Sequence, residues 1–304
     1  MNERRTVFLV NPASDNGATG RRWPEIANRA AAAGLTGDAL VSERPGQLTE
    51  LAREAAEGGA ELLVAVGGDG TVNEVVNGIA GRAGVELAIV PRGTGRDFVR
   101  TYVISHRVDD AIRTAVEGRT REIDLGRARF RSWQGKTTEA YFANIASAGM
   151  SGAIAKRANE TSKALGGRAS YLWATFAVFA GWRTSEISVE ADGEVRRSPM
   201  HLVVVANGRY FGGGMMITPD ADPDDGVFDV LVIGNLTKRD LLLTLPKTYF
   251  GRHLPHPKAE LLRATTVEIE TKEPMPVELD GEQPGTTPVR FEVVPRALRL
   301  RVPR

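Results

Sequence analysis

Short apolar runs alternate with amphipathic stretches over the first 125 residues. Thr6–Val10 is a strand candidate, ended by Asn11-Pro12, and Arg21–Ala33 predicts a helix closed by Gly34. Asp38–Val41 predicts a short strand, and Leu48–Glu57 a helix stopped by Gly58-Gly59. Leu62–Val66 is an almost unbroken apolar run, as expected of a strand buried on both faces. Thr71–Ile79 predicts a helix, Val85–Val90 a strand and Asp109–Glu117 a helix, after which Glu122–Leu125 leads out. Repeating strand–helix order implies a parallel sheet covered on both faces.

The pattern changes after Gly126. Strand-like stretches follow one another at Gly126–Arg131, Ala140–Ile145, Ser185–Glu190, Met200–Ala206, Phe228–Val232, Thr266–Thr271, Pro276–Leu279 and Pro288–Val294. Asp192-Gly193 and Asp280-Gly281 are hairpin-turn dipeptides. Helices are expected near Ala153–Asn159, Tyr171–Trp182 and Lys238–Leu245, the last with Thr237 and Asp240 as a capping box. Tyr171–Trp182 is apolar around nearly its whole circumference. The first expectation is therefore a core helix, the alternative a wall of an acyl-chain groove or a lipid contact. This half reads as a mainly antiparallel β domain with inserted helices.

Composition narrows the chemistry. Lys plus Arg is 39 against 38 Asp plus Glu, a net charge of +1, so no bulk basic field draws in nucleic acid. The absence of Cys removes disulfides, thiolate nucleophiles and zinc–cysteine sites. Four His without an HExxH pattern remove a zinc-hydrolase reading. The apolar run at Val7–Val10 is too short for a signal-peptide core, so the mature protein is expected to start here, in the cytoplasm. No run approaches the ~20 apolar residues of a membrane span.

The segment Gly67-Gly68-Asp69-Gly70-Thr71-Val72-Asn73-Glu74 follows the buried strand and opens a helix. Its glycines allow close backbone approach to a ligand, and a helix N-terminus binds anions. Thr71 and Glu74 have capping-box spacing. Together these predict a phosphate cradle, although a capped tight turn alone would look the same. A second loop of the same kind, Pro91-Arg92-Gly93-Thr94-Gly95-Arg96-Asp97-Phe98, follows the next strand. Adjacent loops at the carboxyl ends of parallel strands form the usual ligand crevice of an open α/β sheet. Asp69 and Asp97 would face one another there and suit a bound Mg²⁺, though Asp97 has a plain alternative as a helix cap. Pro219–Asp229 concentrates five carboxylates, a ligand set for a hard cation or simply an acidic solvated loop.

These loops resemble the GGDGTxNEVVNG and P-x-GTxND signatures of the diacylglycerol kinase catalytic domain superfamily, which includes soluble bacterial diacylglycerol kinases, YegS-like lipid kinases and sphingosine kinases. The first signature runs unbroken from Gly67 to Gly78. Asn11-Pro12, Asn207–Gly214, Pro219–Gly226 and Asp280-Gly281-Glu282 extend the resemblance over essentially the whole chain. It implies two domains with ATP in the cleft between them. The first is an open α/β, NAD-kinase-like domain of residues 1–125 plus a returning strand at about 295–304. The second is a mainly antiparallel β-sandwich domain of residues 126–294.

It further implies an ATP-dependent, Mg²⁺-assisted lipid kinase acting on a diacylglycerol-like or sphingoid-like hydroxyl. Asp280 would be the general base, with Glu282 in support. The nucleotide would be held by Asn11, Ser42, Gly67, Gly68, Asp69, Gly70, Thr71, Val72, Asn73 and Thr94. Asp97 and Asp124 would join the Asp–water–Mg²⁺ network. Asp222, Asp225 and Val227 would hold a structural metal. Asp192-Gly193-Glu194 repeats the catalytic tripeptide and is read as a solvent hairpin. Arg96 departs from the family Asn and could add a phosphate contact or simply be solvated. Two other readings stand beside this one: an ATP–NAD kinase and a catalytically silent nucleotide-binding regulator. Expected partners are a lipid substrate and a transient contact with the inner membrane surface, with no nucleic acid. The lipid and the oligomeric state, homodimer included, are left open.

Overall fold

In a computed structural model, residues 4–160 and 167–304 are described. The chain divides into two units, residues 1–124 with 295–304, and residues 125–294.

The first unit opens with β1 (Thr6–Val10), α1 (Ala18–Ala32), β2 (Asp38–Val41), α2 (Gln47–Glu57), β3 (Leu62–Gly67), α3 (Asp69–Ile79) and β4 (Glu86–Pro91). α4 (Asp97–Thr101) and α5 (Val108–Glu117) follow. Its sheet is parallel in the order β4-β3-β1-β2. The residues of β1, β3 and β4 are all buried, which explains why their sequences show no alternation. Phe8, Val10, Val64, Val66 and Val90 pack with Ile26 and Ile112 from α1 and α5.

The second unit begins along β5 (Arg119–Ser132), which is one strand where Gly126 suggested a fresh start. β6 (Thr137–Phe142), β7 (Ile145–Gly149), α6 (Met150–Glu160), α7 (Gly167–Gly181), β8 (Ser185–Ala191) and β9 (Glu194–Ala206) follow. Next come β10 (Tyr210–Phe211), β11 (Met215–Met216), β12 (Phe228–Gly234), α8 (Lys238–Thr248), β13 (Ala259–Ala264), β14 (Thr266–Thr271), β15 (Pro276–Leu279) and β16 (Glu282–Val302). Pairing is antiparallel along β13-β12-β9-β7-β15-β16 and along β9-β8-β14-β16. β9 and β16 are long enough to take part in both layers, which makes the unit a β-sandwich. Its interior is filled by Phe142, Phe228 and Phe291, with ring centroids 5.6 and 5.8 Å apart. The last residues of β16 lie in the first unit, where Arg299 and Leu300 pair in parallel with Glu86 and Leu87 of β4.

Two expectations need correction. The chain over Ala140–Ile145 is not one strand, because pairing stops at Ala143–Asn144 between β6 and β7. Helix α7 is not uniformly buried: Ala174 and Phe179 are, whereas Trp173 is 57% and Phe176 40% exposed. The side chains of Tyr171 and Leu172 lie outside the described residues.

His201 and His253 are buried, and their Nε2 atoms lie 3.1 and 2.9 Å from the carbonyls of Leu236 and Ile217. Each ring is assigned the neutral Nε2–H form, donating to that carbonyl. Burial holds both rings below the usual imidazole value. The unfolded chain therefore takes up protons that the folded one refuses. The stability these rings contribute is complete above about pH 6.5 and is lost as pH falls through their folded-state values. The expected result is a melting temperature that drops on acidification below that pH, and a shallower drop in His253→Gln, read by thermal denaturation across a pH series.

Candidate active site

The nucleotide-type loops of the first unit cross at glycine against glycine. A Cβ on Gly93 would lie 2.6 Å from the Cα of Gly68, which excludes a side chain there, and a Cβ on Gly68 would lie a tight 3.3 Å from the Cα of Gly93. The Arg92 amide donates to the Gly67 carbonyl at 2.6 Å, locking the loops together. The Arg92 side chain bonds Asp15 at 2.7 Å and so draws in the loop after β1 as well. Asn11, at the end of β1, donates to Thr71 Oγ1 at 3.0 Å. Ser42 is buried, and its hydroxyl donates to the Val10 carbonyl at 3.4 Å. Val72 is buried in α3, Asn73 accepts from Asn77 on the next turn at 2.9 Å, and Thr94 is exposed on the second loop.

Helix α3 starts at Asp69, with Gly68 as N-cap. The capping box expected of Thr71 and Glu74 is therefore absent. Thr71 is already inside the helix, and Glu74 accepts the Leu48 amide at 3.0 Å, capping the neighbouring α2. Because no side chain caps α3, its first amides point out along the axis over Gly68 and Gly70, the arrangement that receives phosphate oxygens.

Asp69 lies at this helix start, and its carboxylate accepts the Asp97 and Phe98 amides at 3.3 Å each, capping α4. Burial pushes the Asp69 carboxyl above its usual value, opposed by these amides, that of Arg96 and the charge of Arg100. Asp97 is buried, and Gly95 lies between the two carboxyls: a Cβ there would be 2.5 Å from Asp69 Oδ2 and 3.9 Å from Asp97 Oδ2. The two acids do come together. Asp124 is also buried and accepts the Arg296 amide at 2.8 Å, holding the start of the returning strand segment.

In the second unit, Asp280 occupies the left-handed position of the Asp-Gly turn, with φ 49°. Its carboxylate accepts three backbone amides, from Ala143, Asn144 and Ile145, at 2.8–3.0 Å. These belong to the break between β6 and β7, so Asp280 creates the irregularity that the apolar run concealed. Glu278, buried two residues earlier, accepts the Gly281 amide at 2.7 Å and the Ser147 hydroxyl, which meets Ser151 at 2.7 Å. Glu282 is exposed beyond the turn. The copy at Asp192 has the same build. Its φ is 47°, and it accepts the Thr265 and Thr266 amides at 2.8 Å each.

The acidic loop is arranged around Asp225. Its Oδ1 accepts the Val227 amide at 3.2 Å, its own amide donates to the Asp222 carbonyl at 3.3 Å, and its Oδ2 is paired with Arg263. Burial raises the carboxyl of nearby Asp229 to about 6, against Arg263 and reinforced by Asp225 and Asp220. Among the described residues, no group of three or more His, Asp or Glu is arranged to hold a metal. Asp222, Asp225 and Val227, the expected ligands, share one turn, and the cation beside Asp225 is Arg263, which a metal there would have to displace.

The family follows from matches in both units. The diacylglycerol kinase catalytic domain matches residues 5–128, and the YegS C-terminal NAD kinase beta sandwich-like domain matches residues 144–302. The chain belongs to the YegS-like diacylglycerol kinase family. A diacylglycerol kinase of Staphylococcus carnosus is 27% identical over 99% of this chain and 96% of that one. One from Staphylococcus aureus strain Newman is 28% identical over 95% and 89%. The crystal structure of a candidate diacylglycerol kinase from Bacillus anthracis superposes with TM-score 0.79 at 26% identity, covering 99% of this chain and 98% of that one. Yeast NADH kinase complexed with NADH, with TM-score 0.52 at 11% identity, shares the fold. These matches make the chain a kinase.

Within this kinase, two features escaped the sequence. Arg92 lies inside a quoted motif, but nothing local indicates that it bridges two loops. The amides of residues 143–145 carry no sequence signal at all. Arg96 sits in the left-handed region at φ 59°, a conformation that suits the family Asn better than Arg, and its Nε donates to the Gly93 carbonyl at 3.0 Å. Arg96→Asn is expected to relieve about 1 kcal/mol of backbone strain. A raised melting temperature with an unchanged KM for ATP would show that strain outweighs the bond to Gly93, a lowered melting temperature would identify Arg96 as a brace of the loop, and a raised KM would identify it as a phosphate contact.

Proposed function

We propose that this kinase transfers the γ-phosphoryl group of ATP to a lipid hydroxyl of the diacylglycerol or sphingoid type. The observation that carries the reading is the uncapped start of α3 beside the Asp69–Asp97 pair, in a chain matched over nearly its full length by named diacylglycerol kinases. The amides at Gly68–Thr71 bind and orient the phosphates, and the glycine crossing keeps side chains out of their way. Asp69, whose charge is penalised by burial, and Asp97 fit a hard cation held directly or through water. Mg²⁺ bound there would neutralise phosphate charge. Asp280 accepts the proton of the attacking hydroxyl, and Glu278 orients it through the Gly281 amide. Catalysis then rests mainly on positioning and electrostatics.

The test is labelled ATP and Mg²⁺ with diacylglycerol, sphingoid bases, a total lipid extract and NAD as separate acceptors. Label in a lipid supports the proposal. Label in NAD alone replaces it with the nicotinamide-nucleotide kinase reading, and no label in any acceptor favours the silent regulator.

A further inference from the structure

Helix α8 carries apolar residues on two opposite faces, and only one of them is packed. Leu241 and Leu245 are buried against Met150, Ile154 and Phe179. On the other side, residues four apart form two adjacent rows. One runs Lys238, Leu242, Pro246 and on to Phe250, just past the helix end at Thr248; the other runs Arg239, Leu243, Lys247. All seven are exposed, with Leu242 at 60%, Leu243 at 56% and Phe250 at 72%.

The charge on these rows has one sign. The only acid on the helix, Asp240, lies off them and is tied to the Thr237 amide and to Lys258, each at 2.8 Å. The side-chain bond to Lys258 holds Asp240 ionised far below the ordinary carboxylate range, ahead of the contribution from Thr237. A chain with a net charge of only +1 thus concentrates three cations around an exposed apolar stripe. No described helix is long and apolar enough to cross a membrane, so α8 would lie along a surface.

We propose that this face of α8 docks on the anionic surface of a phospholipid bilayer. Leu242, Leu243 and Phe250 enter the boundary between headgroups and acyl chains, while Lys238, Arg239 and Lys247 meet the lipid phosphates. A protein partner with an apolar groove would need acidic residues at matching spacing. A bilayer supplies apolar depth and negative charge together, which is the combination presented here.

The experiment is co-sedimentation of the full chain with phosphatidylcholine vesicles, with or without roughly one-third phosphatidylglycerol. No ATP is present, so the result is independent of the proposed kinase reaction. Binding to the mixed vesicles and not to pure phosphatidylcholine is expected. Leu242→Ser with Phe250→Ser is expected to weaken the partition at least about tenfold, with an unchanged melting temperature because both positions are exposed. Lys238→Gln with Lys247→Gln is expected to weaken it and to flatten its salt dependence. The proposal is overturned if the wild type ignores anionic vesicles or if both variants bind as it does. It is also overturned if sedimentation equilibrium shows a dimer that the Leu242/Phe250 variant dissociates, since the stripe would then face a second copy.

Discussion

Asp280→Asn is expected to lower kcat by about 10²–10⁴-fold at saturating ATP, with Asp192→Asn leaving kcat near the wild-type value. The pair is informative because the two residues do the same structural work. Each occupies a left-handed Asp-Gly turn and holds the amides of a neighbouring segment. Replacing either carboxylate by an amide turns one acceptor into a donor facing N–H groups. A stability loss of about 1.5–3 kcal/mol is expected for half-buried Asp280, and less for exposed Asp192, where water fills in. The Asp192 variant thus measures what a loosened turn does without touching the proposed chemistry. Equal kcat losses in the two would reduce Asp280 to a structural clamp. Unaltered kcat in Asp280→Asn would remove it as base and turn attention to Glu282.

Glu86→Ala is expected to produce the largest loss of folding stability, toward the low end of the roughly 3–5 kcal/mol typical of a broken buried ion pair. Glu86 is buried at the start of β4. It accepts from Arg4 at 2.6 Å, Arg299 at 3.0 Å and Thr120 at 2.9 Å, with Arg301 at 3.7 Å. Its removal leaves buried Arg301 without the charge that opposes its desolvation. Arg4 and Arg299 keep part of their hydration, which limits the loss. Urea unfolding should show a lower midpoint with an unchanged slope. A midpoint equal to wild type would show that the cluster contributes nothing net.

The parts of the fold legible in the sequence were those fixed by local burial and local turns. β3 showed itself because every residue is buried, and Asp192-Gly193 and Asp280-Gly281 because a left-handed Asp followed by Gly is a short-range signal. The break at Ala143–Asn144 was hidden because its cause, Asp280, lies far along the chain. Thr71 and Glu74 misled for the opposite reason. The spacing of a capping box was present, but long-range partners, Asn11 and Leu48, had claimed both side chains. Edge strand β13, half-exposed with the sequence AELLRA, carries no alternation and was missed. The glycine loops of the candidate site were legible because close backbone approach requires glycine itself. The bridge formed by Arg92 was not, because an Arg side chain reaches in any direction.

Strand β16 is continuous from Glu282 to Val302, and only its last residues reach the sheet of the first unit, beside β4. During synthesis, residues 1–124 therefore leave the ribosome with β4 still an open, wholly buried-type edge, and with Glu86 facing Arg4 but neither Arg299 nor Arg301. The unit made first is finished last. Its completion waits on a pairing more than 200 residues away in sequence, a high-contact-order step of the slow kind. Until then the exposed β4 edge is the place where a nascent chain would recruit a chaperone or pair wrongly with its neighbour.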